Sequence, residues 1–492
     1  MKTVYYIFIV LLAFSLTSCL NDFLDVEPVS DLASETFWQT EADAETGLNA
    51  AYAQVAKNYN TNDGFLNWFE IRAADTWHTQ SQSIELMDAN TNKLHAGMNA
   101  TSWNGFYKAI GRINYALHYI GLMDDSKISV EAKNHHLAEA SFLRAKMYFD
   151  MIRIWGDVPL VTEPTLDPDI TKMYVSRTPK DEVMAQILDD IDFAIKNVNP
   201  TKTDPYKFTI GAAYALKTHV SMWNKDYQTA FNTTSDLFKL NRYSLQEIDN
   251  WSNIFIEGNT SENIWSIKWN YANMGNNRYI DLLGKNSSSA CVNKQFITDW
   301  EENSPEDKRL WLTFDTTAVS TWETHLIENN IFRFGPWKSY GVGKPDYAEG
   351  RSEKPFAIYR LADIFLLRAE AANQLGNTAE ALKYLNLIRV RADLTAFTEN
   401  DITNASDPKK MLAELIFSDR QKELISEGHQ WFDLVRTGRV KEVMNDVFEN
   451  YYKVWGRTTY NLFSDDECEL LFPVNDQVML ESNGNIVQNP CY

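Results

Sequence analysis

The sequence predicts a mainly α-helical protein in which helical hairpins form a scaffold and a loop-rich insertion carries the binding residues. Apolar residues recur at helical spacing over long stretches, as between residues 130 and 155. Two pairs of such stretches are joined by short turns and look alike. Between the two pairs, from about residue 243 to 356, Gly, Asn, Ser and Pro become frequent and aromatic residues are interleaved with them. A segment of this composition on a regular scaffold is a typical place for ligand-binding residues.

The first 18 residues have the pattern of a bacterial lipoprotein signal peptide. Lys2 precedes an apolar run from Val4 to Leu16, and two small residues separate that run from Cys19. A membrane span needs about 20 apolar residues, so this shorter run is typical of a secretion signal. We therefore expect cleavage before Cys19 and lipid attachment at this cysteine, which would tether the protein to a membrane. An acidic stretch, residues 19–40, then leads into the fold.

Charge and cysteine content narrow the class of protein further. The chain of 492 residues has a net charge of -21, and a surface this acidic excludes nucleic acid as a partner. The four cysteines contain no Cys-x-x-Cys pair, which argues against a metal site of that kind. With Cys19 lipidated, three thiols remain and at most one disulfide forms within the chain. Whether Cys468 and Cys491 pair is left open by the sequence.

Helical periodicity divides the body of the protein into segments. We predict one body, residues 19–492, with helical repeats at about 41–242 and 357–440, the insertion at about 243–356 and an irregular C-terminal region at 441–492. A long polar stretch from 58 to 100 interrupts the first repeats. The predicted helices are residues 42–57, 103–122, 130–155, 180–198, 210–223, 227–240, 359–375, 378–392 and 411–428. The first eight form four candidate hairpins in chain order.

The turn of the last hairpin shows the clearest local signals. Gly376 fits the left-handed position that ends many helices. Asn377, with Glu380 three residues later, resembles a capping box that begins the next helix. The Gln374–Asn377 turn and the small residues after it are typical of a tetratricopeptide-type hairpin. Because insertions interrupt the array, we expect a degenerate repeat rather than a regular solenoid.

Three motifs, taken together, resemble a known family. They are residues 138–160, which begin AEASFLRA and end IWGDVPL; residues 360–371, RLADIFLLRAEA; and residues 420–438, which contain RQKEL and EGHQWFDLVRTG. The C-terminal FPV at 472–474 and QNP at 488–490 follow the same pattern. The motifs occur in the order typical of the SusD/RagB family of outer-membrane glycan-binding lipoproteins. The resemblance covers the chain from Cys19 to Tyr492.

The resemblance implies a binding function rather than catalysis. Members of this family are anchored by lipid outside the outer membrane of Gram-negative bacteria, bind oligosaccharides and cover a partner SusC-like TonB-dependent transporter for nutrient uptake. In this family the tetratricopeptide-like helices face the partner and the loops form the glycan site. No G-x-S-x-G, P-loop or G-x-G-x-x-G stretch occurs in the chain, so no cofactor is expected.

The expected glycan site combines aromatic rings with amide and carboxylate groups. A ring covers the apolar face of a sugar, while the polar side chains bond its hydroxyl groups. Asp75 is carried over from the resemblance. The other candidates rest on composition and position, and core packing is about as good an explanation for each single aromatic residue. They are Trp77, His78, Trp269, Asn270, Tyr271, Trp337 and Tyr340.

Two clusters of titratable residues are interpreted as structural. Two other functions of the protein stay open. Glu423, Glu427, His429 and Asp433 lie among arginines and are expected to form an ion network that fixes the last helix. His135, His136 and Glu139 are expected on a solvated helix face. The first alternative function is a surface glycoside hydrolase, which needs two carboxylates across a cleft. The second is a peptide- or protein-binding adaptor that uses the repeat groove.

Overall fold

The structure is a computed structural model that describes residues 37–78, 84–166, 174–279, 290–292, 294–315, 333–334, 354–452 and 459–492. The signal peptide, Cys19, Trp337 and Tyr340 lie outside the described residues. Among the helices of the described part, none is long and apolar enough to cross a membrane.

The predicted helical hairpins are present, and each of their eight helices begins within two residues of its predicted start. The hairpin helices are α1 (Glu41–Asn60), α3 (Asn104–Leu122), α4 (Val130–Trp155), α5 (Lys180–Asn197), α6 (Ile210–Trp223), α7 (Tyr227–Lys239), α12 (Leu361–Gln374) and α13 (Thr378–Arg391). Five of the eight starts carry a side-chain cap, such as Ser129, which accepts a hydrogen bond from the Ala132 amide at 3.2 Å. The chain is therefore mainly α-helical, as the sequence predicts.

The hairpins pack into one continuous array. The predicted pairs are all in contact: α1 with α3, α4 with α5, α6 with α7, and α12 with α13. Successive pairs also touch, since α3 packs on α4, α5 on α6, and α7 on α12. The long insertion therefore leaves the array between α7 and α12 and returns to it without breaking the stack.

Further elements surround the array, and all of these helices except α15 are short. The helices are α2 (Ile84–Asn90), α8 (Asn253–Ile256), α9 (Tyr271–Met274), α10 (Lys294–Asn303), α11 (Arg309–Thr313), α14 (Glu399–Thr403), α15 (Pro408–Glu423), α16 (Gln430–Thr437), α17 (Val440–Asp446) and α18 (Asp476–Glu481). The strands are β1 (Thr76–His78), β2 (Asn263–Ile267), β3 (Ala290–Val292), β4 (Phe314–Asp315), β5 (Arg333–Phe334) and β6 (Phe356–Arg360). They form three antiparallel pairs, β1 with β3, β2 with β6, and β4 with β5.

The segment from the end of α1, residues 58–100, is predicted to be a polar stretch. In the structure much of it belongs to the core instead. Phe65 and Trp68 are buried beside a π-helical turn at Leu66–Glu70. The ring of Phe65 stacks on Phe356, at the end of the insertion, with 4.9 Å between centroids. The indole N–H of Trp68 donates to the carbonyl of Ala100 at 2.7 Å. These partners are distant in sequence, so local composition does not reveal the burial.

The C-terminal region closes over the first hairpins. The amide of Phe472 donates to the Ile154 carbonyl at 2.7 Å, and Asn489 donates through Nδ2 to the Trp155 carbonyl at 3.2 Å. Cys468 and Cys491 form a disulfide with their Cα atoms 5.8 Å apart. The pairing that the sequence left open is thus present in the structure.

Candidate functional site

The segment between the π-helical turn and β1, residues 71–75, is called here the early loop, and it leads through β1 to the insertion. Strand β1 follows the early loop and pairs with β3 of the insertion, with Trp77 opposite Cys291. Helix α10 begins two residues after β3 and lies next to the loop. Trp77 and His78 in β1 therefore lie beside part of the insertion, at β3.

A cavity of about 430 Å³ lies where these elements meet, and it is called here the α10–α17 cavity. Its size falls in the range of small-ligand sites. It combines one aromatic ring with amide, carboxylate and aliphatic side chains from four parts of the chain. The lining residues are Ala74, Gln295, Phe296, Asp299, Gln421, Glu442, Val443, Asp446 and Val447.

Phe296 supplies the aromatic wall of the cavity and is held from below. Its ring is half-buried and packs edge-on against Trp300, with 5.9 Å between centroids and 73° between planes. Trp300 is buried, and its indole N–H donates to Asp307 Oδ2 at 3.0 Å. Such a ring, fixed on one side and open on the other, is suited to cover the apolar face of a sugar.

Polar groups surround this ring. Glu442 and Asp446 stand four residues apart on α17 and are both exposed. On the other wall, Gln295 donates through Nε2 to Asp299 Oδ1 at 2.6 Å. Carboxylate and amide oxygens accept hydrogen bonds from hydroxyl groups. The sequence analysis missed these residues because they lie in segments separated by more than a hundred residues.

Asp75 lies beneath the early loop rather than on its surface. Its side chain has no exposed area, and its backbone N–H donates to Gln430 Oε1 at 3.2 Å. Thr76 donates through its hydroxyl to Asp75 Oδ1 at 3.3 Å. Burial raises the pKa of the Asp75 carboxyl to about 7. In this conformation Asp75 holds the loop in place, and the ligand contact expected from the resemblance stays a prediction.

The candidates of the insertion divide between core and surface. Trp269 is 4% exposed, and its indole N–H donates to the Gly275 carbonyl at 2.9 Å. Its ring packs edge-on against Phe356, so the indole is a core residue here. Asn270 is exposed and Tyr271 is half-buried at the start of α9. None of the three lines the α10–α17 cavity. Their role in binding stays a prediction.

Four further candidates have no described side chains. Trp77 and His78 have a described backbone in β1 only, which places them beside the insertion. Trp337 and Tyr340 lie outside the described residues.

The acidic cluster near residue 423 is an ion network, as the sequence analysis interpreted it. Glu423 is fully buried and accepts from Arg360 at 2.6 Å and from Arg309 at 3.2 Å. Despite the desolvation of this carboxyl, the surrounding guanidinium groups lower its pKa. Each acid of the cluster is engaged with a cation or with backbone, which leaves no open cleft for acid–base chemistry.

The same network continues toward α16. Arg420 pairs with Asp363 at 2.8 Å and with Asp433 at 2.6 Å, and Arg436 pairs with Asp433 at 2.8 Å. His429 lies beside them, and burial lowers its pKa to about 3, so its ring is neutral near pH 7. The network therefore locks α15 and α16 to α12.

The expectation of a solvated face at His135, His136 and Glu139 is wrong, because all three side chains are buried. Glu139 accepts from the Tyr52 hydroxyl at 2.8 Å. His135 accepts through Nδ1 from the Asn199 amide at 3.2 Å. The polar pattern on α4 thus faces α1 and the end of α5 instead of solvent.

Fold and cavity together define a helical-repeat protein with a small surface site suited to a polyhydroxylated ligand. Two family models match the chain, "SusD family" over residues 319–492 and "Starch-binding associating with outer membrane" over residues 22–222. SusD-like protein P38 of Formosa agariphila is 30% identical over 91% of this chain and 93% of its own length. The chain belongs to the SusD-like family.

Solved structures show the same fold. A SusD homolog from Bacteroides thetaiotaomicron has a TM-score of 0.76 at 20% identity, covering 94% of this chain and 99% of its own. A protein described as a laminarin-binding SusD-like protein has a TM-score of 0.72 at 22% identity, covering 92% of this chain and 100% of its own.

Proposed function

We propose that this protein binds oligosaccharides at the cell surface and delivers them to a partner SusC-like TonB-dependent transporter of the outer membrane. The family supports this proposal, since the matching N-terminal family model is described as starch-binding and associated with the outer membrane. The description of a structural neighbour as laminarin-binding points the same way.

The α10–α17 cavity carries the proposal. It presents the ring of Phe296 beside acceptor groups of Gln295 and Asp299 from α10 and of Glu442 from α17. Sugar recognition needs this combination, because a sugar ring has an apolar C–H face and a polar rim. We infer that Phe296 stacks on a sugar ring while the polar wall bonds its hydroxyl groups.

Membrane attachment forms the second part of the proposal. Cys19 follows a lipoprotein signal, and we propose that it is lipidated and faces the cell exterior. The helical array is proposed to face the transporter. Metabolic labelling with a fatty acid should mark the parent protein and leave a Cys19→Ala variant unlabelled. Co-purification with a TonB-dependent transporter would test the partner.

We propose binding without catalysis. The densest set of acids, around Glu423, is taken up by arginines in the core. A hydrolase needs two carboxylates that reach one glycosidic bond in a cleft. Analysis of oligosaccharides after long incubation with the protein tests this point directly. Released shorter products would favour the surface hydrolase instead.

The decisive binding experiment uses the mature chain without Cys19 on affinity gels that contain laminarin, starch, xylan or pectin. Phe296→Ala should weaken retention on the polysaccharide that binds by up to about tenfold, because an aromatic stacking contact contributes roughly 0.5–1.5 kcal/mol. Phe193→Ala is the matched control, since Phe193 is 40% exposed on α5 and is not among the residues that line the cavity.

Three results separate the possibilities. Loss of retention in Phe296→Ala alone supports the cavity as the glycan site. Retention that survives in Phe296→Ala but fails in Trp337→Ala or Tyr271→Ala moves the site to the loops of the insertion. No retention of the folded parent on any glycan contradicts the proposal and favours a peptide cargo.

A further inference from the structure

We propose that the α10–α17 cavity selects uncharged glycans and rejects glycans that carry carboxylate or sulfate groups. This inference rests on the proposed glycan-binding function and specifies its substrate class. It follows from the charges of the side chains that form the cavity and of those that surround it.

The lining is acidic on two opposite walls. Asp299 stands on α10, and Glu442 and Asp446 stand on α17. All three carboxylates belong to exposed residues, so a ligand meets them directly. Among the described residues that line the cavity, no lysine, arginine or histidine balances them.

Three cations with described side chains on the neighbouring elements are engaged elsewhere. Lys441 pairs with Asp465 at 2.7 Å, and Arg439 pairs with Glu414. Lys422, next to Gln421 on α15, donates to the Ser304 hydroxyl at 3.4 Å and lies over the Trp300 ring. None of these three groups lines the cavity, so among the described side chains the carboxylates set its charge.

Glu442 and Asp446 on α17 repel each other, and a ligand that donates hydrogen bonds to them would offset this repulsion. Two like charges four residues apart on a helix repel each other and destabilise the helix. The Asp446 carboxylate accepts one bond, from Asn450 Nδ2 at 2.5 Å. Hydroxyl groups of a sugar are donors that carboxylates bind well. An anionic sugar would instead add a like charge to a site that already holds three.

Matched ligand pairs test the selectivity. The mature chain is titrated with laminarin and laminarin sulfate, and with dextran and dextran sulfate, so that the backbone is constant and only the charge changes. At low salt we expect the sulfated form to bind at least about tenfold more weakly than the uncharged form. Exposed charges interact over roughly 10 Å at 0.1 M ionic strength. The difference should narrow in about 1 M salt, where screening shortens this range to roughly 3 Å.

Charge variants locate the selectivity in the cavity. The double variant Glu442→Gln with Asp446→Asn keeps side-chain size and should reduce the ratio of the two affinities by about threefold or more. Glu45→Gln with Glu399→Gln makes the same change in net charge at exposed positions outside the cavity and should leave the ratio unchanged.

The outcomes distinguish this inference from the proposed function. Equal or tighter binding of the sulfated glycan overturns the inference and leaves glycan binding intact. If the ratio of the two affinities changes equally in both double variants, the effect comes from net charge. That result also overturns the inference. If neither charged nor uncharged glycans bind, the proposed function fails, and the inference fails with it.

Discussion

Trp300 links the buried ion network to the candidate site. Its indole N–H donates to Asp307, which also pairs with Arg309 at 2.8 Å. Arg309 in turn pairs with Glu423. On its other side, Trp300 supports Phe296. The ion network that the sequence predicts around Glu423 therefore also supports a wall of the candidate site.

Asp75 gives a prediction at the same scale. Its pKa rises from 3.8 to about 7 on folding, so the folded state holds a proton that the unfolded state releases. Stability from this group is therefore full at low pH and decreases as the pH rises from about 4 to 7. Asp75→Asn removes the titrating group and keeps an acceptor for Thr76.

We therefore expect Asp75→Asn to flatten the pH dependence of stability. Between pH 5 and pH 8 the parent should lose on the order of 2 kcal/mol more than the variant, by proton linkage. Urea unfolding at both pH values measures this difference. Parallel pH profiles for parent and variant would show that the carboxyl is not protonated in the folded protein.

The helices of this protein can be predicted from its sequence far better than the burial of its aromatic side chains. The hairpin helices follow from apolar periodicity and from caps such as Asn377, whose side chain accepts from the Glu380 amide at 3.1 Å. The burial of Trp265 and Trp269 does not follow, because their partners Tyr359 and Phe356 are about ninety residues away. The local sequence of a short aromatic stretch does not show whether its side chains face the solvent or the core.

The candidate site is less predictable still. Ala74 and Val447 line one cavity from opposite ends of the chain. No local pattern connects them, and Phe296 carries no motif that separates it from a core phenylalanine. The sequence predicts which stretches contribute to binding, but only the folded chain brings α10, α17 and the early loop to one cavity.

The turn between α12 and α13 gives a prediction at the scale of an element. Gly376 has φ of 77°, with no atom within 4 Å of an added Cβ. Gly376→Ala should therefore destabilise the protein by about 1–2 kcal/mol through backbone strain alone. Gly111, inside α3, also has open space at its Cβ but a helical backbone. Gly111→Ala should stabilise by about 0.5–1 kcal/mol.

Chemical denaturation of both glycine variants tests the assignment. Since neither substitution clashes with a neighbour, opposite signs of the change in unfolding free energy isolate the backbone contribution. Equal effects at the two positions would contradict a left-handed residue at the end of α12.

At the scale of the whole molecule, the C-terminal disulfide stabilises the segment that covers the first hairpins. Cys468 and Cys491 are 23 residues apart, and closing a loop of this size contributes about 3 kcal/mol. We expect a reducing agent to lower the free energy of unfolding by a comparable amount, measured by urea denaturation. The double variant Cys468→Ser with Cys491→Ser should start at the lower value and show no response to reduction.

The contacts of the C-terminal region impose an order on how the chain matures. Arg72 is buried near the beginning, and its guanidinium donates at 2.8 Å to the carbonyls of Glu469 and Leu470. These acceptors lie 397 and 398 residues further along the chain. A nascent chain can thus form its hairpins before the carbonyls that satisfy this buried cation have been synthesised. A chain truncated before Glu469 would leave the guanidinium without these two acceptors.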